Sequence, residues 1–252
     1  MKEEIKIVAV SDTHGYHRDV DVPYGDVFIH AGDLMTCGYK FNEVKDFAQW
    51  FTSLPHPNKI LVAGNHDRLF EGKDKNKCLL EFTNKPQQGN FHYLEDSGVS
   101  IKGWNFWGSP VQPWFFNWAF NRNRGDDIKK HWDKIPLNTD ILITHGPPYG
   151  IGDQAIPHPL KRSDKFIIPA SEHCGCEDLL DKVRQVNPEL NIFGHIHGGR
   201  GMYPATPQDQ RDFKEGYKTH FDNVSFCDEQ YNPTGNCHTH WFCARDDEGK
   251  TL

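Results

Sequence analysis

The chain has 252 residues, 37% of them hydrophobic and 25% charged, with a formal net charge of −7. That balance fits one soluble globular domain over residues 1–252 and excludes a disordered chain. The acidic excess argues against stable nucleic-acid binding, and no run approaches the roughly 18 apolar residues of a membrane span. The chain opens Met1-Lys2-Glu3-Glu4 and passes straight into a strand-like run, with no signal sequence evident. Seven cysteines, an odd number, point to free thiols and a cytoplasmic, reducing setting.

Ile5-Lys6-Ile7-Val8-Ala9-Val10 reads as a buried strand ending in Ser11-Asp12-Thr13-His14-Gly15. Val27-Phe28-Ile29-His30 is a second strand, ending in Ala31-Gly32-Asp33. Asn42 is placed to cap a helix whose apolar positions are Val44, Phe47, Ala48, Phe51 and Leu54, up to Pro55. Ile60 to Ala63 is a third strand, ending in Gly64-Asn65-His66-Asp67. Strand, helix, strand is a βαβ unit and implies a parallel pair.

In the middle of the chain, Phe91 to Leu94 and Val99 to Trp107 read as antiparallel strands around Asp96-Ser97-Gly98. An aromatic tract follows, with Trp104, Trp107, Trp114, Phe115, Phe116, Trp118 and Phe120. It is either packing between two layers or a wall on which a nucleobase stacks. Arg124, in Asn123-Arg124-Gly125, is either a clamp on a phosphate oxygen or a solvated loop charge. A helix is expected over Asp126 to Trp132 and a strand over Ile141 to Ile143, ending in Thr144-His145-Gly146-Pro147-Pro148.

Residues 151–175 form a long loop. Within it, His173-Cys174-Gly175-Cys176 invites a zinc reading, but the chain has no Cys-x-x-Cys pair to complete a site. Glu177 to Val186 is a helix with Leu179, Leu180, Val183 and Val186 inward. Leu190 to Phe193 is a strand ending in Gly194-His195-Ile196-His197, whose two histidines would point the same way on extended chain. Residues 200–216 read as another loop, 217–226 as a returning strand pair, and the tail as irregular. His17, His30, His92 and His131 are read as ordinary structural histidines.

Five apolar strands thus each end in groups that can hold a metal: Asp-x-His, Gly-Asp, Gly-Asn-His-Asp, His-Gly and Gly-His-x-His. In open α/β sheets sites form beyond the carboxyl ends of the strands, so these sets are expected to converge. Mixed carboxylate, imidazole and amide donors suit Mn, Fe, Zn or Mg rather than a thiolate metal.

The series resembles the calcineurin-like metallophosphoesterases. Ser11-Asp12-Thr13-His14, Pro23-Tyr24-Gly25-Asp26, Trp114-Phe115, Asn123-Arg124-Gly125, Thr144-His145-Gly146-Pro147-Pro148 and Asn223-Val224-Ser225 are similar to the small metallophosphoesterase-domain-containing subgroup. The resemblance implies a four-layer α/β/β/α sandwich of two mixed sheets carrying two divalent metal ions, with Mn the expected choice in vitro. It implies that Asp12, His14 and His197 hold one metal, Asn65, His145 and His195 the other, and Asp33 both. Two such cations would share a water, lower its pKa and supply hydroxide as nucleophile. His66 would protonate the leaving group, with Asp67 orienting it, and Asn65, His66 and Arg124 would meet the substrate.

The implied activity is a phosphodiesterase acting on cyclic nucleotides or similar small diesters. The alternatives are a phosphomonoesterase or protein phosphatase of the same fold, or a binding protein that lost the chemistry. The stretches 151–175 and 203–216 look longer than the family's usual connections and bear on substrate access.

Overall fold

The computed structural model describes residues 1–84, 88–155, 173–204 and 217–246. The first sheet is built on β1 (Ile5–Val10), β2 (Val27–Ala31), β3 (Asn58–Val62) and β4 (Asn90–Tyr93). These four strands run parallel, as the βαβ reading requires, with α1 (Phe41–Ser53) crossing between β2 and β3. α2 (Lys75–Thr83) crosses between β3 and β4. It has no clear signature in the sequence because only Cys78 and Phe82 of its nine residues are buried.

The second sheet contains β5 (Ser97–Ile101) and β6 (Trp104–Ser109), an antiparallel hairpin. A short parallel pair follows, β7 (Gln112–Pro113) and β8 (Asn121–Arg122). Then come α3 (Asp126–Trp132), β9 (Ile141–Thr144), α4 (Glu177–Val186) and β10 (Leu190–Phe193). β11 (Gly201–Tyr203) and β12 (His220–Asn223) complete this sheet, in the order β11-β12-β10-β9-β6-β5. β13 (His238–Phe242) returns to the first sheet and pairs antiparallel with β1, giving the order β13-β1-β2-β3-β4.

Side-chain alternation builds the layers. Ile5, Ile7 and Ala9 face a core shared with Trp104, Phe106, Ile141, Ile143 and Ile192 of the second sheet. Val8 and Val10, on the opposite face of the same strand, pack with Val44, Phe47 and Phe51 of α1 and Phe82 of α2. On the far side Leu142 and Phe193 pack with Ile128 and Trp132 of α3 and Leu179 and Val183 of α4. Each of these large apolar side chains, fully buried, contributes roughly 1.5–3 kcal/mol. The result is helices, sheet, sheet, helices: the α/β/β/α sandwich, with both sheets mixed.

Several local expectations are corrected. α1 is capped at Lys40, not Asn42, and no side chain makes the cap bond. The middle hairpin turns at Lys102-Gly103, both at positive φ, rather than at Asp96-Ser97-Gly98. Phe91 belongs to β4, in the other sheet. Residues 217–226 carry one strand instead of a pair, and the tail holds β13. Most of the loop 151–175 and of the stretch 203–216 lies outside the described residues. No helix among the described residues is long and apolar enough to cross a membrane.

Candidate metal centre

The carboxyl ends of β1, β2, β3, β9 and β10 deliver their motifs to one edge of the sandwich. Asp12, His14 and His197 form one group whose ligand atoms lie within 4.8 Å of one another. Asp33, His145 and His195 form a second by the same measure, and His14, Asp33 and His66 a third. Asp33 lies between the groups, its Oδ2 3.7 Å from His14 Nε2 and its Oδ1 3.4 Å from His145 Nε2. Asn65 Oδ1 is 2.8 Å from His145 Nε2.

His195 and His197 do not point the same way. His195 is left-handed, at φ 67°, and turns toward His145, while His197 opens a 3-10 turn and faces His14. Asp12 and Asp33, at φ 53° and 56°, and His14, at φ 42°, share that sparsely allowed backbone region. Such strain persists only where the surroundings over-determine it, and it clusters at functional sites.

The surroundings do over-determine it. The backbone N–H of Asp12 donates to Gly32 O and that of His14 to Asp33 O, interlocking the first two loops. Asp12 Oδ2 accepts from the hydroxyls of Ser11 and Ser225 and from His195 N. Gly194 lies so close to Asp12 and Ser11 that a side chain there would overlap both.

Each of three rings is fixed through Nδ1. His14 donates to Met35 O, His145 to Ala31 O and His197 to Asp228 O, at 3.2, 3.1 and 2.8 Å. That leaves the Nε2 atoms turned inward, as metal-binding histidines require. His14 Nε2 and His197 Nε2 are 3.4 Å apart.

The electrostatics match. Burial lowers His14 to about 4 and His195 to about 3, so both are neutral imidazoles with a lone pair to give. Burial also opposes charge on His145 and His197, but the Asp33 and Asp12 carboxylates outweigh it and raise each to about 9. Burial likewise opposes ionisation of Asp12 and Asp33. The hydrogen bond and charge of His197 outweigh it at Asp12, and the charge of His145 does so at Asp33, keeping both carboxyls below the usual range. Without a cation, protons on two histidines balance two buried carboxylates. Divalent cations are stronger counter-charges for the same donors, so the donor set fits the metals.

His66 and Asp67 part company. His66 Nδ1 donates to Thr36 O, and its ring stacks on Trp118 with centroids 4.0 Å apart. The Asp67 side chain bonds elsewhere, not to His66. Its buried carboxylate accepts the backbone N–H groups of Asp33, Met35 and Gly64 at 2.8–2.9 Å and of Leu34 at 3.4 Å. Asp67 therefore shapes the Asp33 loop, and the orienting partners of His66 are Thr36 and Trp118. The correction is topological: Asp67 opens a 3-10 turn that aims its side chain away from its neighbour.

Arg124 is also engaged elsewhere. Its guanidinium donates to Cys174 O at 3.0 Å, Gly175 O at 2.7 Å and the Glu177 carboxylate, tying α3 to the start of α4. Its side chain is 42% exposed, a loop charge open to solvent that also braces the start of α4. His173 donates to Asp153, and all seven cysteines are free thiols.

The residues missed in the sequence lie around the donors. Thr36 and Asp228 act through backbone carbonyls, which carry no sequence signal. Tyr231 packs edge-on against His14 at 4.8 Å from a tail read as irregular.

Residues 5–199 match the calcineurin-like phosphoesterase family model. The human metallophosphoesterase domain-containing protein 1 is 37% identical over 245 residues, 90% of this chain and 68% of that protein. A UPF0046 protein of Caenorhabditis elegans is 38% identical over 205 residues, 79% of this chain and 65% of that one. TT1561 of Thermus thermophilus, a solved structure, shares the fold with a TM-score of 0.52 at 13% identity, covering 87% of this chain and 88% of its own. The chain belongs to the calcineurin-like phosphoesterase family, metal-dependent hydrolases of phosphoric esters. Within that family it falls with the metallophosphoesterase-domain-containing proteins.

Proposed function

We propose that the chain is a two-metal phosphodiesterase acting on cyclic nucleotides or similar small diesters. The supporting observation is the placement of the Asp33 carboxylate between the two donor groups, within 3.7 Å of His14 and 3.4 Å of His145. Asp12, His14 and His197 would hold one divalent cation, Asn65, His145 and His195 a second, and Asp33 would serve both; Mn is the metal to try first.

Such a pair supplies charge neutralisation for the phosphoryl oxygens and an acidified water. The remaining work falls to this chain's own side chains. His66 presents Nε2 to the leaving oxygen while Nδ1–H is committed to Thr36 O, so its acid-base nitrogen is defined. Trp118 holds the plane of that ring. Phe115, edge-on to His195 at 5.9 Å, adds a second aromatic ring beside the donors, which supports an aromatic or nucleoside leaving group. The seven free thiols support a reducing, cytoplasmic setting.

Hydrolysis of bis-p-nitrophenyl phosphate by metal-stripped protein, with and without added Mn²⁺, tests the reading. Activity restored by metal is expected. Full metal loading with no turnover of this diester, beside clear turnover of p-nitrophenyl phosphate, would replace it with a monoesterase.

A further inference from the structure

Tyr231 is bound into the site by chain that the family match, ending at residue 199, does not reach. It sits in a tight loop organised by Asp228. The Asp228 carboxylate accepts the N–H groups of Gln230 and Asn232 at 2.8 and 2.9 Å, and Asp228 N donates to Asn232 O. The same loop is stitched to the Gly-His-x-His segment twice. His197 Nδ1 donates to Asp228 O at 2.8 Å and Gly198 N donates to Glu229 Oε1 at 2.5 Å.

This scaffold holds Tyr231 at φ 61°, a left-handed conformation that costs a bulky residue on the order of 1–3 kcal/mol. The strain has a visible consequence. It lays the phenol ring over three histidines at once, 4.8 Å from His14, 5.4 Å from His197 and 6.0 Å from His66 between centroids. The ring is partly open, with 44% of the residue exposed. Its hydroxyl has no hydrogen-bond partner among the described residues.

A donor tethered above the candidate ligands, at some conformational cost and with its hydroxyl uncommitted, is suited to a bound anion. We propose that Tyr231 contacts the substrate, its phenol donating a hydrogen bond to a non-bridging phosphoryl oxygen of the bound ester. This rests on the phosphoesterase reading and narrows it. With Arg124 committed to α4, the contact at this wall is a neutral donor instead of a cation. A neutral donor neutralises no charge, which suits a singly charged diester better than a doubly charged monoester.

The test uses the full chain loaded with Mn²⁺, as wild type and as Tyr231→Phe, which keeps the ring and removes only the hydroxyl. Inorganic phosphate is titrated by calorimetry, metal content is measured by mass spectrometry, and kinetics are run on bis-p-nitrophenyl phosphate. The expected result is unchanged metal content, phosphate binding weakened about tenfold, and a raised KM for the diester. Phosphate affinity within twofold of wild type overturns the contact, as does a wild type that binds no phosphate when loaded. A purely structural role for Tyr231 would leave the Phe variant unchanged. Phosphate binding that responds to the substitution, in a wild type that hydrolyses neither ester, instead upholds the contact and refutes the enzymatic reading.

Discussion

Gly64→Ala adds a single methyl group at the point where the two donor groups meet. That methyl would overlap Asp33 Oδ1 and the Asp33 backbone nitrogen and come within 2.6 Å of His145 Cε1. None of the three can yield cheaply. The nitrogen is hydrogen-bonded to Asp67, Oδ1 accepts from His66 N at 2.7 Å, and the His145 ring is fully buried with Nδ1 on Ala31 O. Ordinary contact requires the carboxylate to retreat by about 1 Å, a misplacement that costs up to about 100-fold in rate when it falls on catalytic geometry. Overpacking a rigid site costs about 1–3 kcal/mol of stability. The denaturant midpoint, metal content and kcat/KM on bis-p-nitrophenyl phosphate at saturating Mn²⁺ give three separate readouts. Gly72→Ala is the control for metal content and rate, because no atom lies within 4 Å of the added carbon; its φ of 90° strains any side chain, so its denaturant midpoint falls through the backbone alone. A Gly64→Ala protein with full metal content and activity within threefold of wild type would refute the claim that Asp33 and His145 are held rigidly by close approach.

Asp33→Ala is expected to remove both metals after dialysis, since its carboxylate is the one shared between the groups; two metals per chain by mass spectrometry would contradict that. His66→Ala should keep both metals and lose roughly 10²–10⁴ in rate. The loss should be greatest for diesters with alkoxide leaving groups, and equal losses for good and poor leaving groups would argue against its role as the acid. Asp222→Asn probes the link between the sheets, where His238 Nδ1 and His240 Nε2 of β13 donate to the Asp222 carboxylate of β12 at 2.6 and 2.7 Å. Burial raises this carboxyl, but the two hydrogen bonds outweigh it and hold it below its ordinary 3.8. A depressed carboxyl stabilises the fold fully above the unfolded value and loses that contribution as pH falls through the folded one. The stability gap between wild type and variant should therefore be full above pH about 4 and shrink below it, as followed by chemical denaturation; a gap constant down to about pH 2 would contradict it.

The strands leading to the site were legible because each is a short apolar run stopped by a polar, turn-forming group, and both periodicity and punctuation survive in a single sequence. Helix α4 was equally plain from Leu179, Val183 and Val186. Helix α2 was hidden because its inward face is only Cys78 and Phe82. β13 was hidden because its residues, half-buried at an edge, alternate too weakly. At the site, residue types announced the donors, but no sequence shows which neighbour a side chain faces. Asp67 follows His66 directly, yet bonds the backbone of residues 33–35. Arg124 stands in a loop beside an aromatic tract, yet is drawn to Glu177 and the carbonyls before it. In both cases neighbours along the chain are not the hydrogen-bond partners in space.

The separation of these contacts along the polypeptide has a consequence for biosynthesis. Asp12 accepts from Ser225, 213 residues later, and the His197 ring is braced by the carbonyl of Asp228. A ribosome adding about 5–20 residues per second exposes the early ligands for about ten seconds or more before their partners emerge. During that interval the first strands and helix can collapse, but neither donor group is complete. Metal acquisition is therefore a late event, deferred until residues 225–228 have emerged, and a shorter nascent chain offers no finished pocket to whichever cation is most abundant around it. The ion finally taken up is chosen by folded protein.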